Sequence, residues 1–123
     1  MSSLYERVGG EPFFTALVER FYSSVALDPL LRPLYPADLR ASEEHLGLFL
    51  MQYWGGPTTY GDRRGHPRLR MRHAHFVIGA AERDAWLRHM TAAVKAAGLQ
   101  GPDEQELLEY FAMAARSLEN VAG

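Results

Sequence analysis

Residues 12–26 read PFFTALVERFYSSVA. Within them Phe14, Leu17, Val18, Phe21, Tyr22 and Val25 follow one another at i, i+3, i+4, i+7, i+8 and i+11. On a helix of 3.6 residues per turn this spacing draws one continuous apolar stripe. Pro12 sits just inside the start, where its missing N–H costs nothing because first-turn N–H groups have no partner within the helix. The spacing predicts a helix to about Ala26, with a stripe that other elements must cover.

Those elements also read as helical. Upstream, Ser3-Leu-Tyr-Glu6 has the form of a capping box that starts a short first helix, and Gly9-Gly10 ends it. Downstream, Asp28-Pro29, Pro33 and Pro36 confine the chain to a turn or two. Ser42 precedes a further run in which Leu46, Phe49, Leu50 and Tyr53 share a face, stopped by Gly55-Gly56-Pro57. Residues 58–67 read as mostly loop, and a short helical piece is expected over 68–73. A long helix is expected from about Val77 to Ala97, with Glu82, Trp86, His89, Met90 and Ala93 along one side. Gly98, Gly101 and Pro102 break the chain. Pro102-Asp103-Glu104 then places acids at the positive end of a last helix carrying Leu107, Leu108, Phe111, Ala114, Ala115 and Leu118. No segment alternates for long like a strand, so the fold class is all-α.

The totals bound what such a chain does. Its 123 residues make one domain's worth, 1–123, and 47% of them are apolar, enough for a real core. A formal charge of −2 argues against general nucleic-acid binding. The absence of cysteine excludes disulfides, thiolate metal sites and cysteine nucleophiles, and suits a cytoplasmic protein. No apolar run reaches the roughly 18 residues of a membrane helix, so no membrane insertion is expected. The start, MSSLYERVGG, lacks the basic and apolar regions of a signal peptide.

Against that mild balance, RRGHPRLRMRHAHF, residues 63–76, gathers five arginines and three histidines in fourteen residues with no acid among them. Such a stretch serves as a solvated basic face, meets an anionic partner, or binds carboxylates, for which arginine is well suited. The histidines are His45, His66, His73, His75 and His89. A lone histidine is most often a surface or satisfied core residue. No helical HxxxH pair with a carboxylate supports a zinc hydrolase, and neither GxSxG nor a Walker loop is present. One histidine suffices as a ligand only where a cofactor supplies the others, as a porphyrin does for iron. Tyr22, Tyr35 and Trp86 each carry a polar tip on an aromatic body, and a buried tip of that kind finds a partner.

Several motifs, in order along nearly the whole chain, resemble one family. They are Val8-Gly9-Gly10, Arg20-Phe21-Tyr22, Leu34-Tyr35-Pro36, Gln52-Tyr53-Trp54-Gly55-Gly56-Pro57 and Tyr60. They continue as Arg64-Gly65-His66-Pro67-Arg68-Leu69-Arg70-Met71-Arg72-His73 and Glu82-Arg83-Asp84-Ala85-Trp86-Leu87. Together they resemble the truncated haemoglobins of the second group, the O-type. The resemblance implies a shortened globin, two helices packed across two others around a haem. It maps the proximal histidine, and so the iron ligand, onto His73. It maps the distal tyrosines onto Tyr22 and Tyr35, and the distal tryptophan onto Trp86. Ser42 falls where classical globins carry a distal histidine, and Leu46, one turn on, walls that side. Arg72 and Tyr60 are the implied propionate partners, with His66 a further candidate. Met71, Phe49, Leu46 and Trp86 are the implied haem contacts.

One departure stands out: His75 occupies a position where many members carry proline, which makes it the alternative ligand. Without a Cys-x-x-Cys-His motif the implied cofactor is haem b. The implied activity is binding of dioxygen and other diatomic ligands, with tight binding and slow release that suit a sensor or store better than oxygen transport. A redox enzyme acting on nitric oxide or peroxide is the alternative. It would need an external electron donor, since the chain has no flavin or nicotinamide domain. A cofactor-free helical adaptor is a third reading, and a homodimer through exposed apolar faces stays open.

Overall fold

The computed structural model describes residues 2–64 and 78–118, and every regular element among them is helical. In chain order these are α1 (Leu4–Val8), α2 (Glu11–Ala26), a 3-10 turn (Arg32–Leu34), α3 (Leu39–Tyr53), α4 (Thr59–Arg64), α5 (Ala80–Lys95) and α6 (Pro102–Leu118). The pairs α2–α3 and α5–α6 pack against each other through α2 and α5. The architecture is the all-α, two-over-two globin fold that the sequence implies.

Helix α2 buries the six residues of the quoted stripe, Phe14, Leu17, Val18, Phe21, Tyr22 and Val25. At its start Gly9 and Gly10 take φ values of 110° and 73°, a region that side chains avoid, so the chain turns sharply from α1 into α2. Ser3 Oγ accepts from the Glu6 N–H at 3.2 Å, which caps α1 as expected. In α6, Leu107, Phe111, Ala114 and Ala115 are buried. Arg7 bonds Asp103 at 2.9 Å and so ties α1 to the first turn of α6.

Three boundaries differ from the sequence reading. Helix α3 starts at Leu39, before Ser42, because the Asp38 carboxylate accepts from the Arg40 N–H at 3.0 Å and acts as the N-cap. Residues 59–64 form α4 where the sequence reads as mostly loop. That turn is fastened from outside: Gln52 Oε1, on α3, accepts from the Gly61 N–H at 2.7 Å. Helix α5 starts at Ala80 and ends at Lys95, inside the expected span. Gly79 is extended, and the Glu82 carboxylate reaches back to its N–H at 2.8 Å. The helical piece expected over 68–73 lies outside the described residues.

The face expected on α3 also divides. Gly47, Leu50 and Met51 enter the core, whereas Tyr53 is 52% exposed and rests on Tyr110 with ring centroids 4.4 Å apart. Leu46 and Phe49 lie between these two faces and border a cavity.

Two polar contacts lock α5 against the α2 side. Near the C-terminal end of α5, the Ala97 N–H bonds Val94 rather than Ala93. Arg20 on α2 supplies the missing donors to the Ala93 carbonyl, through Nε at 3.0 Å and Nη2 at 2.9 Å. Cations at a helix C-terminus also suit its dipole. The second contact joins His89 Nε2 to Asp28 Oδ2 at 2.7 Å, with Arg88 at 4.0 Å. His89 is therefore a satisfied, half-buried residue of the fold.

Arg20→Met should cost ~1–3 kcal/mol by stranding a helix-end carbonyl. The check is a lower denaturant midpoint at unchanged slope. The hydrogen bond from His89, followed by the Leu30 N–H, holds the Asp28 carboxyl below its ordinary value of 3.8. A depressed carboxyl stabilises the fold above its unfolded value, and that contribution is lost as pH falls through the depressed one. Asp28→Asn should therefore flatten the loss of stability in acid below about pH 4, read by denaturant titration at several pH values.

Candidate functional site

A cavity of ≈ 270 Å³ opens between the two helix pairs. Each wall comes from a different element. Helix α2 sends in Tyr22, the 3-10 turn and its exit send Leu34 and Tyr35, and α3 sends Ser42, His45, Leu46 and Phe49. Helix α4 adds Tyr60, α5 adds Glu82, Arg83 and Trp86, and α6 adds Tyr110, Phe111, Ala114 and Ala115. Seven residues singled out in the sequence thus meet in one space: Tyr22, Tyr35, Ser42, Leu46, Phe49, Tyr60 and Trp86. His66, Met71, Arg72, His73 and His75 lie outside the described residues. Of the basic stretch, Arg63 pairs with Glu44 at 3.1 Å on the surface, an exposed contact of ~0–1 kcal/mol.

Tyr22, Tyr35 and Trp86 form a group among the lining residues. The rings of Tyr22 and Tyr35 meet edge to face with centroids 5.5 Å apart. The Trp86 indole acts on the Tyr35 hydroxyl and favours its ionised form. Burial pushes the Tyr35 hydroxyl up to about 12, and the indole only partly offsets this. Burial pushes Tyr22 up as well, helped by the proximity of Tyr35 and Glu43. Both phenols are therefore neutral O–H groups near neutral pH, able to donate into the cavity and to accept from a neighbour.

Local structure explains where Tyr35 stands. Arg32 folds its guanidinium back on the chain, donating to the carbonyls of Tyr35 (3.2 Å), Pro36 (3.0 Å) and Ala37 (2.8 Å). The turn is wound around that one group. Trp86 is fixed by aromatic edges, with Phe21 at 5.5 Å and Phe111 at 6.0 Å between centroids. Tyr60 is buried and tilted against Phe49 at 5.5 Å.

Sequence reasoning missed several lining residues. His45 lies one turn after Ser42, so the helical spacing from Ser42 carried its signal. Arg83 stands in the motif over 82–87 with no role assigned to it, and Tyr110 gave no signal. Ala114 and Ala115 belong to a stripe that reads as plain core, and only the packing shows that they also face the cavity. No helix among the described residues is long and apolar enough to cross a membrane.

With this geometry in view, likenesses to known proteins acquire a meaning. Residues 3–120 match the family described as Bacterial-like globin. The chain is 40% identical, over 94% of its own length and 87% of the relative's, to the group 2 truncated hemoglobin YjbI of Bacillus subtilis (strain 168). A novel thermostable hemoglobin from the actinobacterium Thermobifida fusca is 59% identical, with a TM-score of 0.95 over 98% of each chain. The truncated oxygen-avid haemoglobin of Bacillus subtilis is 39% identical, with a TM-score of 0.91 over 97% of this chain and 100% of that one. The family is one of haem-based oxygen binding. A helical pair crossed on a pair, a cavity between them and these likenesses lead to one conclusion: the chain belongs to the bacterial-like globins, as a group II truncated haemoglobin.

Proposed function

We propose that the cavity takes haem b, that His73 would hold its iron, and that Tyr22, Tyr35 and Trp86 would hold a diatomic ligand. The observation that carries the reading is the convergence of these three polar aromatic residues on one largely apolar space. The lining fits the group. Leu46, Phe49, Leu50 and Phe111 offer apolar walls to a flat ring, while Tyr60, His45 and Arg83 offer polar atoms to its carboxylates. Arg72, Met71 and His66 complete the proposed contacts from the basic stretch, and His75 is the alternative ligand.

When bound, the haem supplies an iron that takes a diatomic ligand such as dioxygen. The chain's own part is to donate hydrogen bonds to the partial negative charge on that ligand. Tyr35 can turn its O–H toward the cavity. Tyr22 lies within reach to bond the ligand or to orient Tyr35. Ser42 and Leu46 set how open the approach is. A hydrogen bond to a charged group contributes ~1.5–3 kcal/mol, and ~1.4 kcal/mol is a factor of ten, so tight binding and slow release follow. The likeness to the oxygen-avid haemoglobin of Bacillus subtilis supports the same reading. Slow release suits sensing or storage. Re-reduction of an oxidised iron would draw on an external electron donor, and a cytoplasmic setting would supply one.

The first test is the visible spectrum of the reconstituted protein beside His73→Ala, each ferric, ferrous and under carbon monoxide. The wild type should show a histidine-ligated haem and the variant should lose it. An unchanged variant spectrum would remove His73 as ligand and bring His75 forward. Tyr35→Phe and Trp86→Phe should each speed oxygen release by roughly tenfold or more, as read by stopped-flow. Release no faster than wild type would remove that residue from the account.

A further inference from the structure

We propose that His89 and Asp28, neither of which lines the cavity, are positioning residues that set the approach of Tyr35 to Trp86. The inference rests on the proposed distal role of Tyr35. A path of contacts from α5 to the turn that holds Tyr35 carries it. Trp86 and His89 stand three residues apart on α5, so they share a face. His89 Nε2 meets Asp28 Oδ2 at 2.7 Å. The Asp28 carbonyl accepts from the Arg32 N–H at 2.8 Å, and its Oδ1 accepts from the Leu30 N–H at 2.8 Å. Arg32 then grips the Tyr35, Pro36 and Ala37 carbonyls, and Tyr35 and Trp86 line the same cavity.

Each hydrogen bond of this path is 3.2 Å or shorter, and Asp28 is the joint in it between α5 and the turn. Asp28 and His89 are largely shielded, with side chains 13% and 20% exposed, so solvent screens the joint weakly. Arg88, the cation beside them, is 67% exposed and 4.0 Å away, so it adds little direction. A fastening made only for stability would serve anywhere along α5. This one sits one turn from the Trp86 indole, which lines the cavity with Tyr35. Cutting it frees the turn to drift and lengthens the contact between indole and phenol.

The test is a double-mutant cycle on the haem-loaded protein, reading oxygen release and the indole N–H resonance of Trp86 in the carbon monoxide form. His89→Ala should speed release about fivefold, the size of coupling expected between groups in one network. In a Tyr35→Phe background the same change should have almost no effect. His89→Gln, which keeps a donor at a similar reach, should restore slow release and the wild-type indole resonance. Equal acceleration by His89→Ala in both backgrounds, or an unmoved indole resonance, would overturn the proposal. If Tyr35→Phe alone leaves release unchanged, the distal role fails. The indole resonance then decides the brace by itself: moved by His89→Ala it stands, unmoved it falls.

Discussion

Where α2 crosses α5, one guanidinium group meets one carbonyl, and the rest of the site is arranged from that point. Arg20 directs two donors at Ala93, so the two helices cannot slide past each other without stranding a helix-end acceptor. One residue along α2, Phe21 is fully buried against the edge of Trp86. Tyr22 follows it into the cavity. The register of the crossing thus fixes, in the same stroke, which residue of α2 fills the core and which reaches the site. It also sets the depth of Trp86 on α5.

The group of Tyr22, Tyr35 and Trp86 works because its surroundings are apolar. A phenol among leucine and phenylalanine side chains is hard to ionise, and Tyr22 and Tyr35 are both shifted up by that burial. They stay neutral donors. The same low dielectric makes an unpaired hydroxyl costly, so the network holds its geometry in advance of any ligand. Donors fixed beforehand need little reorganisation when charge appears near them.

The stripe on α2 is fully legible in the sequence because its covering is continuous and its period is the helix's own. The start of α3 is not, because Ser42 resembles a cap while Asp38, just past Pro36, is the residue that caps. Helix α4 is too short and polar to show a period. Its security comes from Gln52, a contact that sequence spacing cannot display. The site divides in the same way. Tyr22, Tyr35 and Trp86 are marked by their polar tips and by family motifs. His45 is hidden one turn from Ser42, and the alanines of α6 look like core in any linear reading. Asp28 and His89 meet across 61 positions, and no local pattern links them.

The shape of the cavity also bears on stability. Aromatic pairs brace its rims. Phe49 against Tyr60 on one side and Trp86 against Phe111 on the other hold the helices apart, while Ala114 and Ala115 leave the floor low. A group that fills the space returns the missing contacts, and its binding adds directly to the stability of the folded state. Ligand and fold are then one equilibrium: the residues that keep the cavity open against collapse give the occupant its affinity.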